Sequence, residues 1–162
     1  KAEVSGYFRP LAHPEAFFVA LPPATAPEAA GDPAPAAELR ALNARNGAAV
    51  SGHDLEGRIG FYAEDAVIMP FADTPKVGMA EIRPYMTAYV GTSQGAELKV
   101  RVWNEGFEDF GRYVVEYSKF HVAWRAGESS GVVSGGGIAL WRREADGRLK
   151  TLRQIGTHDH QP

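Results

Sequence analysis

An α+β domain, helices first and a meander of antiparallel strands after them, is what the order of patterns along these 162 residues predicts. Three observations carry it. Up to Gly91, apolar residues recur at helical spacing. From Leu98 onward they alternate with polar ones at the period of a strand. Turn signals then separate the strands: Asp109-Phe110-Gly111, the run 126–131, and Asp146-Gly147, a strong hairpin signal.

Residues 1–37 are expected to form an extended arm. Within them, 22–37 read PPATAPEAAGDPAPAA, a composition that favours extended, poorly packed chain. The aromatic pairs Tyr7-Phe8 and Phe17-Phe18 precede that run and are expected to dock on the domain or on a partner subunit. The folded domain spans 38–162. It opens with a helix whose Leu39, Leu42, Ala49 and Val50 fall near one face, with Arg40 and Arg45 elsewhere. Ser51 to Asp54 interrupts it, and Asp54 is the expected N-cap of a short helix from Leu55 to Tyr62. Ala66 to Met69 reads as a buried strand stopped by Pro70, and Phe71 to Val77, with Asp73 and Pro75, as a loop or irregular hairpin. A third helix runs from Gly78 through Ile82, Tyr85, Met86 and Tyr89 to Gly91. Pro84 inside it predicts a kink or a separate first turn.

Four strands follow. Leu98, Val100 and Val102 alternate with Lys99, Arg101 and Trp103, giving a half-buried strand. Tyr113 to Arg125 is the second strand, and Val132 to Arg143 the third, bent or bulged at Gly135-Gly136-Gly137. Arg148 to Thr157 is the last.

Composition sets the outer bounds. The length fits one domain with a single core. A net charge of −3 with mixed signs gives no basic footprint for nucleic acid. No apolar run reaches the roughly 18–20 residues of a membrane span. The absence of cysteine excludes disulfides, thiolate nucleophiles and cysteine-based zinc sites. The chain is expected to be soluble, in the cytoplasm, or in the periplasm if a signal peptide preceded Lys1.

Several motifs point further: Gly52-His53-Asp54-Leu55-Glu56, then Tyr62-Ala63-Glu64-Asp65-Ala66, then Gly78 with Ile82. Near the end come Leu140-Trp141-Arg142-Arg143 and Asp146-Gly147-Arg148-Leu149-Lys150. Across about 38–158 the chain resembles the nuclear-transport-factor-two-like superfamily, which holds ketosteroid isomerases and polyketide-cyclase-like (SnoaL-like) proteins. The resemblance implies a cone, with a curved antiparallel sheet wrapped around the N-terminal helices and an apolar pocket inside. It also implies a homodimer through the sheet face. The isomerase chemistry needs a carboxylate base and an oxyanion hole built from a Tyr and a protonated Asp. At the place of the base this chain has Ile68-Met69-Pro70, and Asn46 stands at the place of the Tyr. The resemblance therefore implies the fold and not that reaction.

Three residues are the candidate catalytic groups. His121 lies mid-strand, sharing a face by alternation with Tyr113, Val115, Tyr117 and Lys119, and a histidine titrates near working pH. Arg153 alternates with Leu149, Thr151 and Ile155, where a guanidinium would clamp a carboxylate or enolate. Asp73 is a substitute base if its loop swings inward. The bland alternatives are an outward-facing His and a rim or interface ion pair for the Arg. Asp65 is expected to close the helix-to-strand junction on local backbone N–H groups. Tyr62, Met69, Phe71, Tyr85, Trp103 and Tyr117 are the expected ligand-binding side chains, with core filling as the default for most of the aromatic ones. No phosphate loop or serine-nucleophile motif occurs, and His158 and His160 at the terminus are expected to be solvated rather than metal-bound. No cofactor is expected.

Two functional readings follow. One is a domain that binds an apolar small molecule in the cone. The other is an isomerase, cyclase or dehydratase acting on an enolisable hydrophobic substrate.

Overall fold

A computed structural model describes residues 34–159; the arm residues 1–33 and His160 lie outside the described part. Helix α1 spans Ala34–Ser51 and α2 spans Leu55–Ile59. Strand β1 is Tyr62–Met69, β2 is Lys76–Val77, and α3 is Gly78–Thr92. The long strands follow: β3 Glu97–Asp109, β4 Tyr113–Ala126, β5 Ser129–Arg143 and β6 Leu149–His158. The architecture is α+β, with a six-stranded sheet in the order β2-β1-β6-β5-β4-β3.

Helix α1 starts at Ala34, inside the Ala/Pro run, with Pro35 near its first turn, where proline's missing N–H costs nothing. Leu39 and Leu42 pack with Val114, Ala139, Trp141 and Leu149, so α1 covers the middle of the sheet. Its Gly47 lies against β3: a Cβ there would sit 3.2 Å from the Val100 carbonyl oxygen. Ser51 Oγ accepts the Val100 N–H, so α1 also occupies part of the otherwise open β3 edge. Asp54 caps α2 as expected, accepting the Gly57 N–H at 2.9 Å. His53, with φ of 52°, bonds Ser93 Oγ and the Ala96 carbonyl and ties the two helix junctions together. Helix α3 runs unbroken through Pro84, where Ala80 and Pro84 are both exposed and water can take the freed carbonyl. Its Ile82 and Met86 close over Tyr62, Ile68 and Leu152.

The sheet differs from the expected antiparallel one in one pairing. Strands β3 to β6 form the antiparallel meander, whereas β1 runs parallel to β6, with Val67 opposite Arg153 and Ile68 opposite Gln154. The sheet is therefore mixed. The chain enters at one side through β1 and returns to it only with its last strand. A second difference concerns the bulges. Gly135, Gly136 and Gly137 pair in register on both sides. The register shifts instead between Leu140 and Trp141, opposite the extra residue Leu152 of β6, and at Glu105 in β3.

Candidate functional site

The helix-facing side of the sheet can be followed strand by strand. Strand β4 turns Val114 and Glu116 inward, both under 2% exposed. Register then places Ala139 of β5 beside Glu116, Gln154 of β6 beside Ala139, and Ile68 of β1 beside Gln154. The parallel row beside it is Val114, Trp141, Thr151 and Tyr62. With roughly 4.8 Å between strands, the Glu116 and Gln154 backbones lie about 10 Å apart, separated by the single methyl group of Ala139.

Glu116 is the centre of the first cluster. Its Oε1 accepts the Asn43 amide at 2.7 Å and the Asn104 amide at 3.1 Å, and its Oε2 accepts the Trp141 indole N–H at 2.9 Å. All three partners are neutral donors, and together they satisfy both oxygens of the buried side chain without a cation. Local structure delivers each one. Asn43 lies one turn beyond Leu39 on the buried face of α1. Asn104 is turned inward beside the β3 bulge and also donates to the Gly106 carbonyl. Trp141 shares the inward face of β5 with Ala139.

The second cluster begins at Tyr62. Its hydroxyl donates to Gln154 Oε1 at 2.9 Å, and burial pushes its phenol above the usual range. The half-buried Gln154 stands opposite Ile68 in register, and its amide nitrogen makes no bond among the described residues. Tyr85 of α3 packs half-buried against this group, its ring near-parallel to that of Tyr89 with centroids 6.4 Å apart. Burial, and then the neighbouring Tyr89, raise its pKa as well. Arg58 of α2 reaches between the helices, donating from Nη1 to Asn46 Oδ1 at 3.1 Å and from Nη2 toward Met86 Sδ at 3.8 Å. Its guanidinium lies 5.8 Å from the centroid of the Tyr89 ring.

The expected site residues divide between the two sides of the sheet. Tyr62 and Tyr85 come together on the helix side. Trp103 and Tyr117 lie on the outer side, where Trp103 bonds Glu105 and Tyr117 donates to Glu108 at 3.0 Å. Met69 is half-buried at the end of β1, opposite Ile155. Phe71 is 52% exposed in the β1–β2 loop and stacks on His158 at 4.6 Å.

His121 is exposed on the outer face, bonded to Ser134 Oγ at 3.0 Å, with Glu116 on the other side of the same strand. Arg153 is half-buried. The Leu152 bulge breaks the alternation, so Arg153 pairs with Leu140 while Thr151 pairs with Trp141, and its Nη1 donates to the Asp65 carbonyl. Burial holds the Arg153 pKa down. His121 and Arg153 sit opposite Ser134 and Leu140, six register positions apart on β5 and thus roughly 20 Å from each other. Asp73 is exposed, and the Thr74 backbone N–H and then Lys76 hold its carboxyl below the ordinary range, which weakens it as a base. Asp65 stabilises the junction differently from expectation: it lies within β1 and takes both terminal nitrogens of Arg142, at 2.9 and 2.8 Å.

Sequence reasoning missed Asn43, Asn104 and Glu116 as a group. A signal for Asn43 was present, since it shares the Leu39/Leu42 face. No group of metal-ligating side chains occurs among the described residues, and no helix there is long and apolar enough to cross a membrane.

No family model and no curated protein matches the sequence. Solved structures do match. A ketosteroid isomerase-like protein from Erwinia carotovora atroseptica is 14% identical, with a TM-score of 0.67 over 80% of this chain and 99% of its own. ActVI-ORFA from Streptomyces coelicolor is 16% identical, with a TM-score of 0.67 over 78% of this chain and 96% of its own. A Catenulispora acidiphila protein in complex with S-DNPA is 20% identical, with a TM-score of 0.67 over 76% and 92%. Likeness at these identities is likeness of fold, and this chain shares its fold with these ketosteroid isomerase-like and ActVI-ORFA structures, as the resemblance in its sequence implies.

Proposed function

We propose that the protein binds a small, largely apolar molecule between its helices and the inner face of its sheet. The observation that carries this reading is the Tyr62–Gln154 pair. It sets a buried hydroxyl, packed with Ile68, Ile82 and Met86, against a half-buried amide whose nitrogen has no partner among the described residues. A few convergent polar groups in an apolar surround are the usual composition of a ligand site. The solved relative in complex with S-DNPA shows that a protein of this fold can hold a small molecule. Native mass spectrometry of protein purified gently from its own host tests the reading. The expected result is an adduct that is released on denaturation and whose occupancy falls in Tyr62→Phe. No adduct, together with no stabilisation by any member of an apolar ligand panel, would count against it.

A second reading, an isomerase, cyclase or dehydratase acting on an enolisable hydrophobic substrate, draws its support from Glu116. This carboxylate is held without a cation on the same inner face as Tyr62. Such a reaction would turn to Glu116 before Asp73 or His121, since those two are exposed and His121 lies on the outer face. We also propose a homodimer through the outer face, where Tyr117 and Ile138 pair across β4 and β5 at 38% and 48% exposure.

A further inference from the structure

Most half-buried cations of the described residues have an acidic partner or a backbone carbonyl. Arg142 holds Asp65 and Glu144, Arg143 holds Glu38, Lys76 holds Asp73, and Lys150 bonds the Gly60 carbonyl. Arg58 differs from these. Among the described residues it meets an amide oxygen, a thioether sulfur and an aromatic face, and no carboxylate. A guanidinium taken partly out of water costs free energy unless an anion or a full set of acceptors compensates it. One amide oxygen, one weakly accepting sulfur and a ring leave several of its N–H groups unused.

The surroundings of Arg58 indicate what would complete it. Tyr85 and Tyr89 stand one helical turn apart on α3, their rings 26° from parallel, and Tyr89 is 48% exposed. The Tyr62 hydroxyl and the Arg58 guanidinium lie within electrostatic reach of each other and of these rings. Flat apolar faces, phenolic hydroxyls and one under-compensated guanidinium are together the complement of a flat molecule that carries a negative oxygen.

We propose that Arg58 is an anion-recognition residue. The ligand it selects is a planar organic acid whose carboxylate or phenolate oxygen binds the guanidinium while its ring system lies against Tyr85 and Tyr89. This deepens the small-molecule reading and rests on it. A purely structural role, with Arg58 stapling α1 to α3, would give no preference between charged and neutral ligands of one shape.

The test uses a matched pair of probes, 2-naphthoate and 2-naphthamide, titrated against the full chain by calorimetry. The expected result is naphthoate binding about tenfold tighter than naphthamide in the wild-type protein, a preference that shrinks with added salt. Arg58→Met is expected to abolish the preference while leaving naphthamide affinity in place, and Arg58→Lys to retain part of it. Circular dichroism confirms folding, and the conservative lysine variant carries the comparison if the methionine variant unfolds. Equal affinities for the two probes in the wild type, or an undiminished preference in both variants, would overturn the role of Arg58 alone. Failure of both probes to bind would overturn it together with the small-molecule reading beneath it.

Discussion

Glu116 shows how one side chain constrains its neighbourhood. A carboxylate 1% exposed and satisfied by three neutral donors holds α1, β3 and β5 to β4 through single bonds. Glu116→Gln keeps the volume and replaces an acceptor by a donor. Its new amide N–H2 must face either the two asparagine amides or the Trp141 indole, and a donor against a donor leaves both unsatisfied. The variant is expected to lose about 1–3 kcal/mol in urea denaturation. A loss under about 0.5 kcal/mol would show that the three bonds do not depend on two acceptor oxygens at this position. Part of this was legible in the sequence. The alternation along 113–125 correctly separates Glu116 from His121, but a period of two gives two faces without saying which one the helices cover. Val114 and Glu116 turn inward, so the set containing His121, Tyr117 and Lys119 faces outward.

The elements themselves were mostly legible. The Asp54 cap, the Asp146-Gly147 turn with Gly147 at φ of 83°, and the long alternating strands are all written locally. The parallel return of β1 to β6 was not, because pairing between segments that far apart leaves no local periodic trace. Nor was the Leu152 bulge, which moves Arg153 out of the alternation that the sequence suggests. The glycine run of β5 was recognised as a place of close approach, and its geometry yields a prediction. A Cβ on Gly135 would lie 2.0 Å from the Thr157 carbonyl oxygen and 2.6 Å from the Phe120 ring, whereas one on Gly156 would meet nothing within 4 Å. Backbone cannot yield as a flexible side chain can. Gly135→Ala is therefore expected to cost at least about 1–3 kcal/mol, and Gly156→Ala less than about 0.5 kcal/mol. Equal costs for the two would mean that β5 and β6 are not packed this closely around Phe120.

For the whole molecule, the outer face of the sheet carries charges of both signs around an apolar pair. Glu97, Lys99 and Arg101 of β3 and Lys119, His121 and Arg125 of β4 lie toward one end, and Glu105 and Glu108 flank Tyr117, which pairs with Ile138. In the proposed dimer, a two-fold axis through that apolar centre would set Tyr117 and Ile138 of each copy against those of the other, the self-complementarity that an isologous interface requires. Patterning alone reveals the alternating charges but not the bulge at Glu105, which brings that residue round to the Trp103 indole. On this arrangement the wild-type protein is expected to sediment as a dimer at micromolar concentration. Ile138→Lys places a cation in the dry centre against its own symmetry mate and is expected to give a folded monomer at the same concentration. A monomeric wild-type protein, or an Ile138→Lys variant that dimerises as tightly, would move the interface off this face and leave Tyr117 and Ile138 as solvated side chains.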